Sequence, residues 1–301
     1  MAHWYVHAIA RVFAWTSPPE DVAPEVARAK LKQAIKRAPW LVGRPLPCRA
    51  VHDQALAGVP VRIYRPCDGV LPVVAYVHGG GWVEGDLDTH DVPCRMLAVH
   101  SQCVVVSVHY RRAPEHRFPA AVDDCSAVVR WLAANAADIG GDPRRLAVGG
   151  ESAGGHLAAV VARRCRDLNL RAQLLIYPVV DLNRESDSYR RYATGHVLTA
   201  ARMRAFIAAF VPEATQRHRP DVSPLLADDL SGLAPAYLAS APQDVLRDEG
   251  MAYAERLRTA GTAVHWEDTP GLLHGWVNML GLPPARAAWI KAARWLGEQV
   301  Q

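Results

Sequence analysis

The sequence has neither a C-x-x-C pair nor any other cysteine spacing typical of metal ligands, although six of its 301 residues are cysteines. This absence argues against a cysteine-based metal centre. Cys103 lies in a run of β-forming residues and Cys125 in a helical pattern, and both positions favour buried free thiols. We therefore expect unpaired cysteines and a cytoplasmic protein, because a reducing compartment keeps thiols free.

The chain also lacks a strong charge of either sign. Its formal net charge is only +4 and its arginines are scattered, so nothing indicates a nucleic-acid-binding face. Internal repeats, low-complexity runs and an interdomain linker are missing as well. With 50% hydrophobic and 21% charged residues, the composition is typical of a globular protein with a sizeable core.

The apolar residues 1–15 lack the basic start of a secretory signal and are too few to span a bilayer. No integral membrane segment is therefore predicted. Two interpretations stay open for this segment. It is either a helix that packs on the body of the protein, or an interfacial helix that touches lipid or covers the functional site.

Apolar strands alternate with helical segments through most of the chain. The first two predicted strands, 48–54 and 59–65, form a hairpin around a turn. Continuous apolar strands between helices predict an α/β fold with a mostly parallel sheet and helices on both faces. The other predicted strands are 73–77, 103–109, 146–148, 173–176, 236–240 and 263–267, and the predicted helices are 24–37, 92–101, 120–137, 156–166, 249–260 and 284–299.

Residues 183–226 interrupt this alternation, because they contain a helical stretch at 199–210 and no predicted strand. An insertion of this length between two strands is usually functional. We predict a single domain over residues 1–301. Its helical cap is formed by about residues 1–45 and an insertion at about residues 183–222.

The run G-E-S-A-G-G at residues 150–155 follows a short β-run and precedes an alanine-rich helical pattern. A sharp strand-to-helix turn with small residues on both sides lifts a serine hydroxyl out of the sheet, above the helix N-terminus. Ser152 is therefore the predicted nucleophile.

A serine nucleophile needs N–H donors for the oxyanion that forms when it attacks a carbonyl. The run V-H-G-G-G-W at residues 77–82 directly follows an apolar strand. Three glycines allow the backbone to approach a substrate and to turn its N–H groups inward. The predicted donors are Gly80 and Gly81, with Ala153 as a third, and a purely structural glycine turn is the alternative.

The serine also needs a base and a group that orients the base. Among the 13 histidines, His274 is the best placed, because it lies between the last predicted strand and the last helix. Asp244, just after the strand at 236–240, is the predicted acid. Its neighbours Asp248 and Glu249 compete for that role, but they suit the start of the following helix better.

In these residues the sequence resembles the hormone-sensitive-lipase-like branch of the α/β-hydrolases, the family IV bacterial esterases. The resemblance runs from about residue 71 to near the C-terminus. It implies an α/β-hydrolase fold with a helical cap, and Ser152, Asp244 and His274 as the catalytic triad. The matching segments are H-G-G-G-W at 78–82, Y-R-R-A-P-E-H-R-F-P-A-A at 110–121, the serine motif at 150–155, D-V-L-R-D-E-G at 244–250 and H-G at 274–275.

The sequence departs from the family's pattern without losing a catalytic group. Glu151 stands where the family commonly has Asp or Thr, which places a longer carboxylate beside the nucleophile. Trp82 and Trp276 are predicted to narrow the acyl or alcohol pocket, with ordinary packing as the alternative. The remaining predicted substrate-binding residues belong to the insertion: Tyr189, Tyr192 and Met203.

The predicted activity is that of a serine carboxylesterase acting on short- to medium-chain acyl esters through an acyl-enzyme, without a cofactor or metal. The expected partner is a small-molecule ester rather than a nucleic acid. The resemblance also implies a possible homodimer through the strand at 263–267. Two alternatives stay open: the same machinery acting on amides, formamides or acetylated substrates, and a non-catalytic ligand-binding relative.

Overall fold

The computed structural model describes residues 22–301, in which eight strands form one sheet. The predicted N-terminal helix within residues 1–15 lies outside this range. Each predicted strand is found, with boundaries shifted by a few residues. The strands are Ala50–Leu56 (β1), Val59–Arg65 (β2), Leu71–Val77 (β3), Val104–Val108 (β4), Gly141–Glu151 (β5), Gln173–Ile176 (β6), Ala236–Ser240 (β7) and Val264–Asp268 (β8).

Nine α-helices occur in the same part of the chain. Prolines at the first helical positions start several of them, where the missing N–H group has no intrahelical partner to lose. The helices are Pro24–Arg37 (α1), Pro39–Val42 (α2), Asp91–Ser101 (α3), Ala120–Asn135 (α4), Ala153–Arg164 (α5), Asp187–Arg191 (α6), Ala200–Phe210 (α7), Arg247–Thr259 (α8) and Pro283–Gln299 (α9).

The strand order across the sheet is β1-β2-β4-β3-β5-β6-β7-β8. The pairs β1–β2 and β2–β4 are antiparallel, and every pair from β4 to β8 is parallel. This topology confirms the predicted α/β architecture. Because the parallel strands end at one edge, the loops that follow β3, β5, β7 and β8 meet there.

The apolar runs of the central strands are buried on both faces. In β3, Val73, Ala75 and Val77 belong to one hydrophobic cluster, which also takes in α4, α5 and α8. The alternate residues Val74 and Tyr76 belong to a second cluster, with α3 and α9. Successive side chains of a strand point to opposite faces of the sheet. The core is therefore divided into two layers, each packed between one face of the sheet and its helices.

Between residues 183 and 226 the chain forms only α6, α7 and two short 3-10 turns, so this insertion contains no strand. The largest difference from the predicted strand boundaries is in β5, which runs from Gly141 to Glu151 rather than over 146–148. Its extension makes Glu151 the last residue of a central strand. Within residues 22–301, none of the helices combines the length and the apolarity needed to cross a membrane.

Helix α1 is joined to the body of the protein through Arg28. Its guanidinium donates to both carboxylate oxygens of Glu115, at 2.6 and 2.8 Å. It also donates to the carbonyls of Val83 and Ala113, at 2.7 and 3.0 Å. The hydrogen bond from Arg28 lowers the pKa of Glu115 from 4.5 to about 2.

We predict that Glu115→Gln lowers the free energy of unfolding by an amount that depends on pH. The pKa of Glu115 is lower in the folded state, so its contribution is fully present above pH 4.5 and is lost as the pH falls towards about 2. The difference between wild type and variant in urea unfolding should therefore shrink from about pH 6 to about pH 3.

The control is Glu298→Gln, which changes an exposed glutamate on α9. It should give a small difference at every pH. A difference for Glu115→Gln that is constant across this range would contradict the role given to the Arg28–Glu115 ion pair.

Candidate active site

Ser152 occupies a sharp turn between β5 and α5. Its backbone has φ 57° and ψ −122°, a conformation that residues other than glycine rarely adopt. Glycine is required on both sides, because the neighbouring backbone is very close. A Cβ on Gly150 would lie 2.4 Å from the Val77 carbonyl oxygen, and one on Gly154 would lie 2.0 Å from the same atom. This turn presents the Ser152 hydroxyl above the sheet edge.

Three predicted residues from three different loops are brought together here. His274 Nε2 lies 2.9 Å from Ser152 Oγ, and His274 Nδ1 lies 2.7 Å from Asp244 Oδ2. A carboxylate only accepts hydrogen bonds, so Nδ1 carries the proton and Nε2 is free to accept from the serine hydroxyl. The arrangement can remove a proton from Ser152 as its oxygen attacks an electrophile.

Asp244 is held in place by its surroundings. Its side chain is only 1% exposed, and its second oxygen accepts the Leu246 N–H at 3.0 Å. The competing acids have other partners: Asp248 pairs with Arg191 at 2.7 Å, and Glu249 accepts the Val180 N–H at 2.8 Å. Burial raises the pKa of Glu249 well above its usual value. Asp244 is thus the carboxylate that orients His274.

The glycine loop after β3 lies beside Ser152. Gly80 and Gly81 have positive φ angles of 115° and 59°, and both line the same cavity as Ser152 and His274. A Cβ on Gly80 would lie 2.5 Å from the Glu84 carbonyl oxygen. Ala153 is the first residue of α5, so its N–H is among those that a helix N-terminus leaves without an intrahelical partner.

The segment after β4 supports this glycine loop through contacts that were not predicted from the sequence. The Tyr110 hydroxyl donates to the His78 carbonyl at 3.0 Å, and the Ala113 N–H donates to the Trp82 carbonyl at 2.9 Å. Arg112 donates to the Gly85 carbonyl at 2.6 Å. The pairing of β4 with β3 explains these contacts, because the loops that follow two neighbouring parallel strands lie side by side.

A cavity of about 200 Å³ opens onto Ser152. Helix α1 contributes Ala27, Leu31 and Ala34 to one wall. The insertion contributes Val197, Leu198, Arg202, Met203 and Phe206, and Tyr177, Val179 and Met279 add further apolar lining. The lining is mostly apolar, which suits a hydrocarbon group better than a charged one.

Among the predicted pocket residues, Met203 lines this cavity and four aromatics do not. Trp82 is buried, stacks on Phe210 at 4.6 Å and donates to His156 at 3.1 Å. Trp276 is buried against Tyr177 and Trp289. Large rings bury most surface in a closed core, so the packing alternative holds for both tryptophans.

The two tyrosines of the insertion also face elsewhere. Tyr189 is 2% exposed and belongs to the larger hydrophobic cluster, and Tyr192 packs its ring against His196 at 5.4 Å. Phe206, which was not among the predicted pocket residues, is the aromatic residue of the insertion that lines the cavity. A helical spacing of three residues from Met203 would have indicated it.

Both the sequence and the fold of this chain have known relatives. The sequence matches the family described as alpha/beta hydrolase fold over residues 74–278. It is 44% identical to carboxylesterase NlhH of Mycobacterium tuberculosis, covering 87% of this chain and 85% of the relative. It is 42% identical to an ethyl acetate hydrolase of Pseudomonas putida, covering 73% and 72%. A thermostable esterase from Pseudomonas putida superposes with a TM-score of 0.92 at 35% identity, covering 99% and 97%.

We predict that an alkyl fluorophosphonate labels Ser152 alone, because His274 can activate only that hydroxyl. Mass spectrometry of the digested protein should find the adduct on the peptide containing Ser152 and none in Ser152→Ala. Asp244→Asn should be labelled roughly ten-thousandfold more slowly, since the asparagine favours the wrong histidine tautomer.

The matched control is Ser126→Ala. The Ser126 hydroxyl donates to the Val122 carbonyl within α4, so its removal should leave the labelling rate unchanged. An adduct on any other serine of the Ser152→Ala variant would contradict the assignment.

Proposed function

The chain belongs to the hormone-sensitive-lipase-like branch of the α/β-hydrolase family, and we propose that it hydrolyses carboxylic esters with short to medium acyl chains, using Ser152 as nucleophile. The observation that carries this proposal is the hydrogen-bonded line from Ser152 through His274 to Asp244. The carboxylesterases among its relatives support the choice of bond.

In the proposed reaction His274 Nε2 accepts the Ser152 proton while Oγ forms a bond to the ester carbonyl carbon. Asp244 stabilises the imidazolium without taking its proton. Collapse of the tetrahedral intermediate breaks the bond to the alcohol oxygen, which leaves with the proton from His274. A water molecule then repeats the sequence on the acyl-enzyme, and the acid is released.

The N–H groups of Gly80, Gly81 and Ala153 would stabilise the oxyanion. Two of these residues line the cavity with Ser152, and the third begins α5. The partial positive charge at the N-terminus of α5 favours a negative oxygen at this place. Fixed donors of this kind are usually the largest contribution to acyl-transfer catalysis.

The cap would consist of α1 and the insertion at about residues 183–222. Both supply walls of the cavity, and neither contributes a strand to the sheet. The cavity volume of about 200 Å³ supports the chain-length limit. A dry cavity of about 150 Å³ holds one benzene-sized molecule, so a long acyl chain would have to extend beyond this space.

We predict that p-nitrophenyl esters from acetate to palmitate are hydrolysed best at the short end of the series. Each added methylene gains affinity only while the cavity has room for it. Ser152→Ala should reduce turnover to the spontaneous rate, and Ser126→Ala should match wild type. Folded protein that cleaves none of these esters would shift the assignment to amide-type substrates or to a binding role.

We predict that Phe206→Ala moves the preferred acyl length upwards. The Phe206 ring lines the cavity and lies so near the glycine loop that a Cβ on Gly81 would be 2.2 Å from it. Without the ring, kcat/KM for longer esters relative to acetate should rise roughly threefold to tenfold.

The control is Ile207→Ala, which removes a buried side chain from the same helix outside the cavity lining. It should lower stability without changing the chain-length profile. The same profile in Phe206→Ala and wild type would contradict the role given to this ring.

A further inference from the structure

Glu151 directly precedes the nucleophile and closes strand β5. Its side chain is buried, and three hydrogen-bond donors converge on its carboxylate. The Gly79 backbone N–H and the Tyr76 hydroxyl both donate to it. The third donor is His90, whose Nε2 lies 2.8 Å from Glu151 Oε1. One carboxylate thus joins the end of β5, the glycine loop after β3 and the start of α3.

The contact between Gly79 and the serine turn is very close. A Cβ on Gly79 would lie 2.8 Å from the Glu151 carbonyl oxygen and 3.2 Å from Ser152 Cβ. The residue after Gly79 begins the pair of glycines assigned as oxyanion donors. Any movement of the Gly79 backbone would therefore move those donors relative to Ser152.

We propose that Glu151 is a positioning residue, which fixes the distance between the oxyanion donors and Ser152 by binding the Gly79 N–H. This inference rests on the proposed function. Glu151 acts through the loop and not on the reacting atoms, since His274 is the group that binds the serine hydroxyl. This positioning role accounts for the longer carboxylate of Glu151 beside the nucleophile.

The chemistry of the site requires a carboxylate. Three donors face this side chain, and an ionised carboxylate accepts at both oxygens, whereas a glutamine would turn an NH₂ group towards one of them. Burial and the charge of Glu151 raise the pKa of Tyr76 well above its usual value, so its hydroxyl remains a donor. Hydrogen bonds to an ionised acceptor are also stronger than neutral ones.

A chain of contacts extends this anchor to α1. His90 Nδ1 lies 2.9 Å from Thr89 Oγ1, and Thr89 binds both the backbone and the side chain of Asp86. The carboxylate of Asp86 pairs with Lys32 at 2.7 Å. Glu151 is therefore the inner end of a polar network that begins on the proposed cap.

The test compares Glu151→Gln with wild type, using p-nitrophenyl acetate and counting active sites with the fluorophosphonate. Misplaced donors weaken binding of the transition state more than binding of the ester. We expect kcat per labelled site to fall roughly tenfold to a hundredfold, less than the loss of a whole donor. KM should stay within about threefold of wild type.

Asp142→Asn is the matched control. Asp142 is a buried carboxylate that also accepts a backbone N–H, that of Arg144 at 3.0 Å, but it lies at the opposite end of β5 from Glu151. Its replacement should lower the melting temperature and leave kcat per labelled site unchanged. This control separates the loss of stability that follows the removal of any buried carboxylate from an effect on the oxyanion donors.

A trifluoromethyl ketone gives a second readout, because its hemiketal adduct with Ser152 carries an oxyanion. Its affinity for Glu151→Gln should fall by the same factor as kcat/KM. His90→Asn leaves Glu151 in place and removes one of its partners, so it should lower kcat per site by roughly threefold to tenfold, with KM again unchanged. This variant carries the test if Glu151→Gln does not fold.

The outcomes separate the two proposals. A kcat per labelled site within about twofold of wild type in both variants would overturn the role of Glu151 and leave the esterase assignment standing. Failure of wild type to hydrolyse any ester would overturn the esterase assignment and this inference with it.

Discussion

The pairing of β3 with β5 is the constraint on which the site depends. In this parallel pair Val77 lies opposite Gly150, so the glycine loop and the serine turn leave the sheet side by side. The two backbones approach so closely that a Cβ on Gly150 or Gly154 would collide with the Val77 carbonyl. Gly150 and Gly154 in the serine turn and Gly79 in the glycine loop therefore permit one close backbone contact. This contact between backbones, which depends on no side chain, brings the nucleophile and the proposed donors together.

The strained backbone of Ser152 is stable because its neighbours leave it no alternative. Its N–H donates to the Ile176 carbonyl at 2.9 Å, which ties the turn to the adjacent strand β6. Its carbonyl accepts the first N–H bond of α5, from His156 at 2.9 Å. A strained residue costs about 1–3 kcal/mol and persists only where the surroundings over-determine it. Here the hydrogen bonds of Ser152 to the sheet and to the helix offset that cost.

The sequence predicted those parts of the site that depend on strand ends. Ser152, Asp244 and His274 each follow a strand, and parallel topology brings strand ends together. It could not predict contacts made across elements. The burial of Trp82 depends on a stack with Phe210, more than a hundred positions away in the chain. The partners of Glu151 depend on the extra length of β5, and short apolar runs define strand boundaries poorly.

Helix α7 both lines the cavity and contacts the segment that begins with the glycine loop. Phe206 lies against Gly81, Phe210 stacks on Trp82, and Arg202 pairs with Glu84 at 2.8 Å. Each of these contacts joins α7 to residues 81–84, which begin with the proposed donor Gly81. A change in α7 that enlarges the cavity therefore also alters the support of the donors. Substrate size and transition-state stabilisation are coupled in this protein, because one helix packs on both.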